Sequence, residues 1–66
     1  MNPQHFKEVL ETVCMSTNSS KSKVAWNTGF CPHNFFDWQR KGVPIHMTPF
    51  VMDKLKDYLF NRLGGR

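Results

Sequence analysis

Three prolines partition this chain more strongly than any other feature. Pro3, Pro32 and Pro49 each stand at the head of a run whose apolar residues recur at helical spacing. Proline has no backbone N–H and a φ fixed at about −65°, so it suits the first turn of a helix and disrupts later ones. Glycines supply the matching stops. Gly29 and Gly42 flank the middle run, and Gly64 and Gly65 follow the last. A chain punctuated this way has to fold as a set of short helices.

Between these marks the periodicity is specific. Phe6, Val9, Leu10 and Val13 give one apolar stripe from Pro3 to about Cys14, with Asn2 placed to cap it. The polar stretch "STNSSKSK" ends that helix and offers serines as the cap of a second, from Lys21 to about Thr28, with Val24, Ala25 and Thr28 on one side. Gly29 then takes a left-handed backbone, and a third helix runs from Pro32 to Lys41. After "GVPIHM", Thr48 serves as cap and Val51, Met52, Leu55, Leu59 and Leu63 line a final helix over about 48–63. No strand pattern or internal repeat is present. The expectation is one all-α domain over residues 1–66, a small bundle of four to five short helices around one core.

Sixty-six residues allow one modest core, and six Phe with two Trp can fill it. No apolar run approaches the ~18 residues that cross a bilayer, and acids interrupt the first helix where a signal peptide would be apolar. A cytoplasmic protein without a membrane partner is expected. Cys14 and Cys31 are too few for a disulfide scaffold and read as reduced thiols in or near the core. The formal net charge of +4 points to an acidic partner, nucleic acid foremost.

The centre of the chain carries the functional signal. In "VAWNTGFCPHNFFDWQRKGVP", the small Ala25 stands four residues before Gly29, Phe30 follows the glycine, and Phe35 and Trp38 return at inward positions of the next helix. Two short helices joined by a glycine turn and crossing steeply need a small residue at the crossing. This run resembles the helix-turn-helix of the Cro and repressor family of phage and bacterial transcription regulators, the lambda-repressor-like fold. It covers about 24 residues, and "RKGVP" resembles the basic exit usual after that tryptophan. Thr28 stands where the family commonly has a larger apolar residue.

The resemblance implies a helix-turn-helix at about 21–41 whose second helix, 32–41, lies in the major groove of a double-stranded DNA operator. With Phe35 and Trp38 inward, Pro32, His33, Phe36, Asp37 and Arg40 face outward as candidate base readers. His33 can exchange a hydrogen bond with a base edge, Asp37 can accept from a cytosine amino group, and Phe36 can rest on a thymine methyl. Arg40 suits guanine or phosphate, and Lys21, Lys23 and Lys41 suit phosphates. Such modules act in pairs, so a homodimer is expected, with Phe50 and Phe60 outside the apolar stripe of the last helix as its contacts.

Other readings compete at individual residues. An exposed Phe36 also marks a protein contact, Asp37 repels phosphates and suits a solvated helix, and lysines occur on any soluble surface. The alternatives are a protein-binding module on a helix-turn-helix scaffold, regulating or inhibiting a host factor, and the DNA-binding antitoxin of a toxin–antitoxin pair. Cys31 and His33, with Cys14, His5 or His46, are metal-ligand types without metal-site spacing, so no metal and no cofactor is expected. No carboxylate pair, nucleophile triad or phosphate-cradling loop appears. Neither an enzyme nor a small-molecule substrate is expected.

Overall fold

A computed structural model describes residues 1–64. Among them every regular element is helical: α1 Pro3–Thr17, α2 Lys21–Asn27, α3 Pro32–Lys41 and α4 Thr48–Arg62, with a 3-10 turn at Ile45–Met47 ahead of α4. The first two helix starts follow their caps. The Asn2 side chain accepts from the His5 N–H at 2.9 Å, and Ser20 Oγ accepts from the Lys23 N–H at 3.1 Å.

Two boundaries differ from the sequence expectation. α1 runs on past Cys14 to Thr17, where the Thr17 hydroxyl donates to Val13 O at 2.7 Å; Asn18 then stops it in a left-handed conformation, φ 53°. Residues 15–17 have no apolar period, so their helicity left no mark in the pattern. At α4, Thr48 is no cap. Its backbone is already helical, and its hydroxyl donates back to Pro44 O at 3.0 Å, because the 3-10 turn feeds straight into the helix. The last helix ends at Arg62, with Gly64 at φ 83°; Gly65 lies outside the described residues.

The end of α2 is a paired-bond C-cap. The Phe30 N–H reaches back to Ala25 O at 2.9 Å and the Gly29 N–H to Trp26 O at 3.4 Å, with Gly29 at φ 88°. This turn sets Phe30 down against the core. Gly42 is held differently. Its φ is 94°, and a Cβ there would come within 2.5 Å of Met1 O. The close approach lets Val43 pair with Met1, N–H to Met1 O at 3.0 Å, which ties the exit of α3 to the start of α1.

α1 packs against all three other helices, and α2 against α3 and α4. Phe6, Leu10 and Val13 meet Val24, Ala25, Phe30, Phe35, Val43, Val51, Leu55 and Tyr58 in one core. Trp38 sits at its rim, half-buried, edge-on to Phe6 at 5.8 Å and to Phe30 at 5.5 Å. The buried stripe of α4 is Val51, Leu55 and Tyr58; Leu63, expected there, is exposed. Tyr58 takes an inward place because its ring is apolar while its hydroxyl finds Ser19 Oγ at 2.7 Å.

Candidate nucleic-acid interface

The segment 20–44 carries Lys21, Lys23, Arg40 and Lys41 against the single acid Asp37, a net of +3 out of the chain's formal +4. Charge therefore concentrates on α2, α3 and their flanks. The rest of the chain is close to balanced.

Phe35 fixes the rotation of α3. It is fully buried, and Trp38 three residues on reaches the rim of the same core, so the opposite face turns to solvent. His33, Phe36 and Arg40 are exposed there, Phe36 by 51%. Pro32 and Asp37 are half-buried. Lys41, at the last position of α3, is exposed, as is Lys23 near the start of α2.

Within that surface Asp37 is engaged. Its Oδ1 accepts from Arg40 Nη2 at 2.5 Å, and its Oδ2 lies 3.5 Å from His33 Nε2. The three side chains stand at i, i+4 and i+7 of one helix, one above another. The carboxylate holds the guanidinium through one nitrogen, and the pair offsets the carboxylate's own charge. Acceptance from a cytosine would need the pair with Arg40 to open.

Lys21 is also tied into the fold. Its Nζ donates to Gln39 Oε1 at 2.8 Å and lies 4.0 Å from the Glu11 carboxylate, joining α2 to α3 and α1. Of the three expected phosphate contacts, Lys23 and Lys41 stand clear, and Lys21 is also a fastening. Sequence reasoning did not single out Gln39. The available sign was its place on the inward half of α3, where a long polar side chain needs a partner. Thr28, one departure from the family pattern beside Cys31 and Pro32 at the opening of α3, is buried with its hydroxyl donating to Val24 O at 2.7 Å. The polar atom is thereby satisfied locally.

Trp26 projects away from the core and is 65% exposed. Of the expected dimer contacts, Phe50 rests edge-on against Phe30 at 5.8 Å with the Lys54 ammonium 5.5 Å from its ring, and Phe60 is free of the core. The two lie about 15 Å apart along α4 and about 80° apart around it. They are not one patch. Cys14 is half-buried and its thiol pKa is raised by burial, a shift the nearby Lys21 charge opposes and Glu11 reinforces. Cys31, expected in or near the core, is exposed.

Two clefts lie elsewhere. A polar one of about 340 Å³ separates α2 from α4, lined by Asn27, Asp57, Asn61 and Arg62 among others. An apolar one of about 250 Å³ runs between α1 and α4. Among the described residues, no three His, Cys, Asp or Glu side chains converge as metal ligands, and no helix is long and apolar enough to cross a membrane. Compared with family models, characterised proteins and solved structures, the chain matches none.

Proposed function

We propose that this chain is a sequence-specific double-stranded DNA-binding regulator of the Cro and repressor type, with α2 and α3 as its helix-turn-helix. The observation that carries this reading is the orientation of α3. Burial of Phe35 turns His33, Phe36 and Arg40 outward on the segment that concentrates the positive charge. A helix presented in this way fits the major groove, with Lys23, Lys41 and the start of α2 against the phosphates on either side. One such helix reads few base pairs, so the reading calls for two copies on half-sites about 34 Å apart. Regulation follows from occupancy of the operator, without catalysis or a cofactor.

The test is binding to random-sequence duplex over a salt series. Affinity should fall linearly in log salt, with a slope set by the number of phosphates neutralised. No binding at low salt would sink the reading. In that event the exposed Trp26 and Phe36 favour the second reading, a module that docks a protein through the same two helices.

A further inference from the structure

The groove between α1 and α4 has no role in DNA reading, and none of its lining residues comes from α2 or α3. Its floor is apolar, with Val9 from one wall and Met52 and Leu59 from the other, above the buried Leu55. The apolar surface continues along α4 beyond it. Leu63, four residues on from Leu59 and on the same side, is 61% exposed, and Phe60, three residues before Leu63, is 67% exposed at the edge of that side. Large apolar side chains clustered on one face of so small a domain require a cover.

The charges on the two walls select the cover. Glu8 stands on the α1 wall and Lys56 on the α4 wall of the same cleft, and neither forms an ion pair among the described residues. A second copy laid face to face, with the two-fold axis along the groove, sets each α1 wall against the partner's α4 wall at the same height. Glu8 then meets the partner's Lys56 twice over. With the axis across the groove, α1 faces α1 and like charges meet. A standard interface takes ~800 Å² from each partner, about a fifth of this chain's 4282 Å² surface, so it needs a face made of whole helices. Two 15-residue helices side by side are such a face.

We propose that the α1–α4 groove is the self-association surface of this protein, occupied by the same groove of a second copy about a two-fold axis along its length. The sequence expectation put Phe50 and Phe60 at the contact; this surface keeps Phe60 at its edge and leaves Phe50 outside. It does not depend on the DNA reading, because α2 and α3 stay uncovered and the measurement needs no DNA.

The experiment is sedimentation equilibrium of the full chain, wild type beside Glu8→Lys, Lys56→Glu and the double reversal, with circular dichroism verifying that each is folded. Both positions are exposed, so the helices should be kept. The wild type should dimerise, and each single reversal should weaken dimerisation by about tenfold or more by setting like charges together at two places. The double reversal should restore it. A wild type that stays monomeric at high micromolar concentration overturns the proposal. So do single reversals without effect, or a double reversal that fails to restore.

Discussion

Gly29 and Gly42 both take a positive φ, 88° and 94°, for different reasons. At Gly29 nothing lies within 4 Å of a would-be Cβ, so Gly29→Ala should cost only the backbone strain, about 1 kcal/mol. At Gly42 the same methyl meets Met1 O and Pro3 Cδ, so Gly42→Ala should cost clearly more and loosen the Met1–Val43 pairing. Denaturant midpoints at unchanged m-value measure both, and equal losses would contradict the close approach. Phe35 and Phe36 form a similar contrast. Phe35→Ala should cost about 3–5 kcal/mol and Phe36→Ala less than about 1 kcal/mol, because the first empties a closed core and the second trims a half-exposed ring. At the cysteines, a thiol probe at neutral pH should modify exposed Cys31 first. Cys14, half-buried with its thiol pKa raised, holds less thiolate and should react only slowly until the chain unfolds.

Where a backbone rule acts alone, the elements were legible in the sequence. α3 begins at Pro32 and ends at Lys41, as the proline and the glycine require. The hidden parts depended on partners remote in sequence. Tyr58 replaced Leu63 in the buried stripe because its hydroxyl pairs with that of Ser19, 39 residues earlier, and the α1–α4 groove exists only once both helices are docked. The clamp on α3 lies between these cases. Asp37 at i+4 from His33 and three before Arg40 is readable as helix spacing, yet the sequence does not tell that the carboxylate binds Arg40 with one oxygen while the other faces His33 at 3.5 Å. If α3 reads DNA, Arg40→Ala should weaken binding and lower the log–log salt slope by about one. Asp37→Asn should act oppositely on random duplex, tightening binding by removing a negative charge beside the phosphates. At a specific operator it should lose selectivity, because a neutral amide oxygen holds Arg40 more weakly. Equal effects of Asp37→Asn on random and operator DNA would deny Asp37 a positioning role.

At the scale of the whole molecule, stability and presentation of the candidate reading helix share one set of side chains. Phe6 of α1, Phe30 of the turn and Phe35 and Trp38 of α3 lie with ring centroids 5.5–5.9 Å apart, so α3 is oriented by the same aromatic cluster that closes the core. A domain of this length is stable by only about 3–10 kcal/mol, and an aromatic truncation in its core takes a large share of that. Trp38→Ala, removing a ring at the rim that touches three others, should therefore lower the melting temperature by roughly 10–20 °C. Any ligand that needs α3 in place should be lost over the same temperature range. Lys21 extends the coupling to the polar side, since it joins α2 to both Gln39 and Glu11. Lys21→Ala should lower both the melting temperature and DNA affinity, whereas Lys23→Ala, at an exposed position with no partner side chain among the described residues, should lower affinity alone. Thermal melts beside binding titrations separate the two lysines. If both variants melt with the wild type, the Lys21 contacts contribute nothing measurable to stability, and α3 is positioned by its aromatic face alone.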